Sequence, residues 1–319
     1  MRDCFVLVNY RFQNLSFMLV FTFAELMKYV FFLLIVSLIL TSCEKGVTFD
    51  LDESSPKLVV EATIETNRPP FVILSKSQNF FAQITPDILA NSFVRNAEVY
   101  VSNGIAVHKL KEYTAPLSNG YTFYFYSIDS SNLSTAFLGQ TNTQYSLRIV
   151  AEGKEYTAVT RIPAITRRID SLFWKQAPGN NDTNKVALMV RATDQAGYGD
   201  YIRYFTKRNS ETFYPAFNSV YDDQVIDGTS YEVEVERGVD RTQDLPEDYT
   251  LFDKGDTVTL KLCQIDKATY DFWRTMEFSY GSIGNPFASP TKVLSNISNE
   301  ALGYFGGYAP QFRTIIIPR

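Results

Sequence analysis

The residues of this chain whose types could do chemistry are few. There is one histidine, His108. A multi-histidine zinc site is therefore excluded, and Ser-His-Asp or Cys-His catalysis would have to run through His108 itself. In Val107-His108-Lys109-Leu110 it falls on an alternating stretch, on the side expected to face solvent. Carboxylates are the other option. Asp222-Asp223 with Asp227, and Asp194 with Asp200, cluster near glycines. Paired carboxylates can hydrolyse glycosides or ligate calcium. Neither cluster has the alternate-position spacing of a calcium loop, and two acids in one polar loop normally face solvent. No nucleophile-base or metal constellation emerges. The expectation is a protein that is not an enzyme, with no catalytic residue, no cofactor and no metal.

The three cysteines are Cys4, Cys43 and Cys263. Cys263 ends the alternating run Val258–Cys263 and reads as a small hydrophobe within a sheet. Cys43 is different. Leu40-Thr41-Ser42-Cys43 looks like a bacterial lipobox, an apolar residue and two small ones before the cysteine that is acylated. Upstream lie Lys28 and an apolar run, Val30 to Leu40, broken only by Ser37. A basic n-region, an h-region of roughly 7–15 residues and a small-residue cleavage site make a secretory signal. Translation from Met27 would give that signal its ordinary form, so residues 1–26 read as an over-extended start and residues 1–42 as a signal region that is removed. The alternative is a transmembrane helix from Phe17 to Leu40. It would place Glu25 or Lys28 deep in the bilayer at roughly 2.5–3.5 kcal/mol each. An acylated Cys43 would tie the protein to the outer membrane, because two or more acyl chains anchor stably where one does not. The side of that membrane it faces stays open.

The mature chain would hold Cys263 as its only free thiol, so an internal disulfide is impossible. The net charge of −5 without a basic run speaks against nucleic acid. Residues 43–56, with Asp50, Asp52, Glu53 and Pro56, read as an acidic tether.

The elements that would position any site are mostly β. From Lys57, short β-prone runs follow one another: Leu58–Ile64, Phe71–Leu74, Ala97–Val101, Tyr121–Tyr126, Tyr145–Val150 and Tyr156–Thr160. Asn103-Gly104 and Glu152-Gly153-Lys154 are hairpin signals. Several short strands with regular turns predict an immunoglobulin-like β-sandwich over residues 57–163. Arg161-Ile162-Pro163 marks the boundary. Beyond it, Ile169–Trp174, Lys185–Ala192, Tyr201–Thr206, Ser230–Glu236, Thr257–Ile265 and Phe312–Ile317 predict a larger β-rich domain over residues 164–319. That domain carries one amphipathic helix, 266–280, with Asp266 as N-cap and Ala268, Phe272, Trp273, Met276 and Tyr280 on one face.

Behind the helix come Asn285-Pro286-Phe287, Ser295-Asn296-Ile297 and Gly303-Tyr304-Phe305-Gly306-Gly307-Tyr308. With the lipobox, Leu58-Val59-Val60-Glu61-Ala62 and Ile169-Asp170-Ser171-Leu172, their order resembles the Bacteroidota lipoproteins grouped as domain-of-unknown-function family 4249. One departure is Asn299-Glu300-Ala301-Leu302-Gly303, where that family more usually has an earlier glycine. The resemblance implies an envelope lipoprotein held to the membrane by its N-terminal lipid. It further implies a non-enzymatic accessory of a TonB-dependent uptake receptor, with no ligand specified. The alternative is a structural or adhesive surface lipoprotein. The glycine-rich segment lacks the lysine and helix of a phosphate loop. It reads as a turn between aromatic strands. Tyr304, Phe305 and Tyr308 are then candidates for a partner-binding rim, against the alternative that they close the C-terminal sheet.

From the cysteine and histidine counts, neither chelator nor reductant should move the melting temperature by more than about a degree or two. Thermal melts with EDTA and with a reducing agent check this; a fall of about ten degrees with EDTA would point to calcium on an acidic loop.

Overall fold

A computed structural model describes Lys28 and residues 55–78, 85–117, 120–241, 243–285, 287–289 and 291–319. The lipobox, Cys43 and the tether up to residue 54 lie outside the described residues. Ser54–Arg319 is one compact unit. Its first half holds β1 (Leu58–Glu65), β2 (Phe71–Lys76), α1 (Pro86–Asn91), β3 (Glu98–Ser102), β4 (Val107–Lys109), β5 (Lys111–Pro116), β6 (Thr122–Ser127), β7 (Thr143–Ala151) and β8 (Lys154–Ile162). Its second half holds β9 (Arg168–Gln176), β10 (Lys185–Thr193), β11 (Tyr201–Arg208), β12 (Tyr214–Tyr221), β13 (Ser230–Val235), β14 (Phe252–Asp253), β15 (Thr257–Ile265), α2 (Lys267–Gly281) and β16 (Leu302–Ile316). The fold is mostly β, as the alternating runs predict.

Eight strands form the main sheet, in the order β12-β11-β15-β16-β1-β2-β6-β5. Two four-stranded sheets pack on one of its faces. The sheet β4-β3-β7-β8 covers β1, β2 and β6, enclosing Val60, Ala62, Ile64, Leu147, Ile149 and Phe305. The sheet of β9, β10, β13 and β14 covers β11 and β15, enclosing Val186, Leu188, Phe252 and Leu260. Strand alternation decides the sides: Leu262 points into this second core, whereas the adjacent Cys263 points to the other face, beneath α2.

The sandwich expected over 57–163 is present as two packed layers, but the boundary at 163 does not separate two sheets. The last strand, β16, runs parallel to β1 from Val59↔Leu302 to Glu65↔Tyr308 and antiparallel to β15. Each half of the chain thus completes the other's sheet. Ile297, Ala301, Phe305 and Ala309 from the C-terminal end belong to the core of the first sandwich.

The glycine-rich turn is likewise corrected. Gly303 to Tyr308 lie inside β16, a strand of 15 residues, of which only the end, Phe312–Ile317, was legible in the alternation. The glycines serve close approach. A Cβ on Gly307 would sit 2.4 Å from the Arg161 carbonyl oxygen, and one on Gly303, with φ of +93°, would sit 1.9 Å from that of Val60. The Ser295-Asn296-Ile297 motif also acquires a role. The Asn296 amide oxygen accepts from Phe305 N (2.9 Å), and its nitrogen donates to the carbonyls of Phe305 (2.8 Å) and Val159 (3.2 Å). One side chain so stitches β8 to β16. Asn299 and Glu300 follow with left-handed φ of 56° and 57°. The departure from the family pattern therefore falls where a glycine would sit without strain.

The helix matches its prediction closely. Asp266 caps it, its Oδ1 accepting from Thr269 N at 2.9 Å. Phe272, Trp273 and Met276 pack on the sheet as the spacing requires. Tyr280 does not and is exposed, while Tyr270 takes a buried place instead. Beneath the helix lies a polar insert. The Arg203 guanidinium stacks 3.4 Å from the Trp273 ring, and its Nε donates to Ser219 Oγ (3.1 Å). Ser219 in turn donates through N and Oγ to the Glu277 carboxylate.

The proposed rim does not exist as a surface. Tyr304, Phe305 and Tyr308 are buried, because β16 is an interior strand of the main sheet. Tyr304 stacks on Phe272, and Trp273 Nε1 donates to the Tyr308 hydroxyl at 3.1 Å. Phe305→Ala should cost about 3–5 kcal/mol of stability. Tyr308→Phe, which leaves the Trp273 N–H without its acceptor, should cost about 1–3 kcal/mol. Denaturant titration of both variants checks this; unchanged midpoints would return these side chains to the surface.

Candidate functional site

His108 and the acidic clusters change character in the fold, while Cys263 keeps the buried sheet position that its alternation predicts. His108 is buried, not solvent-facing. Its side of β4 points inward beneath the Asp129–Thr135 segment. Its Nε2 accepts from Asp129 N at 3.1 Å, which leaves Nδ1 to carry the proton toward Thr135 Oγ1 at 2.9 Å. Burial pulls its pKa below the ordinary value. This is a neutral histidine tying a loop to a strand. Cys263 is fully buried, and burial pushes its thiol up to about 12, so it is inert at neutral pH.

The acidic clusters rearrange. Asp194 and Asp200 on one loop join Asp223 from the other, with carboxylate oxygens all within 4.8 Å of one another. Asp194 and Asp223 are buried, contrary to the solvent-facing expectation. The remaining acids serve elsewhere. Asp222 accepts from the Tyr270 hydroxyl (3.0 Å) and Asp227 from Gly197 N (2.6 Å). Backbone groups organise the cluster: Gly199 N and Asp200 N both donate to Asp223 Oδ2, at 2.9 and 3.0 Å. Glycine at 197 and 199, both with positive φ, lets the loop turn its N–H groups inward.

Sequence reasoning missed the residue that organises this cluster. Arg167, between the two halves, has a relative exposure of 0 %. Its Nε donates to Asp194 Oδ1 at 2.9 Å, and both side chains are out of solvent. Its carbonyl accepts from Gln311 Nε2 (2.6 Å) and its N–H reaches Gln264 Oε1 (3.4 Å). The main sheet thereby grips the backbone that carries the charge. Three oxygen donors would suit a hard cation, but the guanidinium already supplies positive charge there. The only sequence signal was a basic residue next to a strand start, which is commonplace.

Arg167 also lines a pocket of about 400 Å³ between the main sheet and β13. Val190, Ala192 and Val235 form one wall, and Ile202, Leu260 and Leu262 the other. Both β12 and β13 are edge strands, so the layers part there instead of closing. Val233 and Tyr221, about half exposed, stand at the opening. Arg167 is the buried cation of a mostly apolar space that Asp222, Glu232 and Glu234 also line. Its Nη2 is buried and has no hydrogen-bond partner. The Tyr231 hydroxyl beside the guanidinium is held above its ordinary pKa by burial; the Arg167 charge and a side-chain hydrogen bond with Arg167 oppose this, and Asp194 adds to it. A pocket of this size and lining suits retention of a small molecule.

The family model described as Domain of unknown function (DUF4249) matches residues 44–313. The chain belongs to this family. In this DUF4249 chain the match takes in both sandwich layers, the helix and the pocket. A search of curated proteins finds no match.

Asp200 is the half-buried member of the triad and the most informative to change. Burial raises its pKa first; a Thr166 hydrogen bond opposes this, Asp194 and Asp223 add to it, and Arg167 opposes. A carboxyl raised in the folded state contributes stability below its unfolded pKa and loses it as pH rises through the folded value. Asp200→Asn should therefore raise the melting temperature at pH 7 and flatten its decline from acid to neutral pH. Melting curves across pH 4–7 check this; a lower melting temperature at pH 7 would show that the ionised carboxylate is stabilising.

Proposed function

We propose that this protein is an acylated outer-membrane lipoprotein, held through Cys43, that acts as a non-enzymatic accessory or binding partner of a TonB-dependent uptake receptor. The observation that carries the first part is where the family match begins. It opens at residue 44, directly behind the lipobox cysteine. No helix among the described residues is long and apolar enough to cross a membrane.

The pocket supports binding over catalysis. Two of the carboxylates that line it are engaged, Asp222 by the Tyr270 hydroxyl and Glu232 by Arg191, and most of its lining is apolar. General acid–base work needs a titratable group within reach of substrate, and the polar end of this pocket presents a guanidinium, which does not titrate in the working range. Holding an apolar molecule next to an importer is the role such a pocket serves best.

Fatty-acid labelling of cells should mark the wild-type protein and leave Cys43→Ala unmarked and unprocessed. Purification from detergent-solubilised outer membrane should bring down a TonB-dependent receptor with the wild type. Acylation of the Cys43→Ala protein would remove the anchor from the proposal, and recovery of the acylated protein without any receptor would favour a structural or adhesive role.

A further inference from the structure

We infer that the pocket binds an uncharged, chiefly apolar small molecule that offers one carbonyl oxygen to Arg167. The inference rests on the pocket being a binding site, and it needs neither the lipid anchor nor the receptor. The volume of about 400 Å³ lies in the small-molecule range, and the walls are chiefly apolar, aliphatic side chains with Tyr204 and Tyr221 among them. One feature of the walls is unmet. Arg167 Nη2 is buried without a partner. A buried donor left unpaired is costly, and more so when it belongs to a charged group. An occupant with an acceptor at that end removes the deficit.

Local charge selects among acceptors. The Arg167 positive charge is already matched by Asp194, at 2.9 Å from Nε. Asp200 and Asp223 lie alongside Asp194, and Glu232 and Glu234 line the pocket further out. A carboxylate or phosphate would enter a region whose fixed charge is balanced or negative. An ammonium would face the guanidinium and would offer no acceptor. A neutral oxygen satisfies Nη2 without either conflict. The aliphatic walls then take the rest of the molecule.

The test uses the purified full chain and Prodan, a neutral naphthalene ketone whose emission shifts to the blue in apolar surroundings. The Val233→Trp chain, with a large side chain at the opening, serves as the blank in the same buffer. Prodan should bind the unaltered chain at one site and not bind the blank. In competition, 2-octanone should displace Prodan at about tenfold lower concentration than n-octane, because a hydrogen bond to a charged donor contributes at least that factor. Octanoate should also be weaker than 2-octanone. Arg167→Lys keeps a charge beside Asp194 but has no second nitrogen to offer, and it should bring the ketone and the alkane level. Equal displacement by 2-octanone and n-octane, or tighter binding of octanoate, would overturn the inference. So would a Val233→Trp chain that titrates like the wild type. If Arg167→Lys does not fold, the three competitors on the unaltered chain still decide. A chain that passes here but fails acylation or receptor recovery keeps its pocket and loses its proposed place in the envelope; the reverse result separates the two in the same way.

Discussion

The fold depends on the insertion of its last strand into the middle of its main sheet. β16 lies between β1, the first described strand, and β15. Neither neighbour has another partner on that side, so without β16 the main sheet would be two separate pieces of three and four strands, each with a raw edge. The insertion requires a backbone that can approach others closely. Gly303 and Gly307 provide it, one against Val60 and one against Arg161. Pairing the first strand with the last also demands closure of nearly the whole folded chain before the sheet is complete, which is an entropic cost that local structure cannot offset.

From this insertion follow the places of the polar groups. Asn296 stands in for a strand residue beside Phe305, because β16 is short of a backbone partner where it passes β8. Arg203, Ser219 and Glu277 lie between α2 and the sheet and are paired with one another. Arg167 and Asp194 are buried where the backbone passes between the sandwich halves, and the glutamines of β15 and β16 hold that backbone. A buried ion pair gains little in net stability, but removing one partner of it is expensive. Such pairs therefore fix an arrangement more than they strengthen it. Arg167 is the one of these groups with a donor still free, and it is the one beside a pocket.

Much of the local structure was legible from residue patterns. Most strand runs, the Gly153 hairpin between β7 and β8, the Asp266 cap and the packing of Phe272 and Trp273 all follow from periods of two or 3.6 residues and from turn and cap chemistry. These depend on neighbours in sequence. The resemblance of short ordered motifs to one family was equally a sequence property, and the family match bears it out.

Tertiary structure decided the rest. Gly303 to Tyr308 carry turn residues, and nothing within a few positions of them reveals that β1 lies alongside; the long-range pairing converted a local turn signal into a central strand and buried Tyr304, Phe305 and Tyr308. The same holds for the acids. Asp194, Asp200 and Asp223 belong to two loops, and only the meeting of β10, β11 and β12 puts them in one cluster around Arg167. Residue type and spacing fix which local conformations are cheap, because φ, ψ and side-chain alternation are local. Which surfaces meet depends on contacts between residues from tens to more than two hundred positions apart, and no short stretch of sequence encodes those by itself.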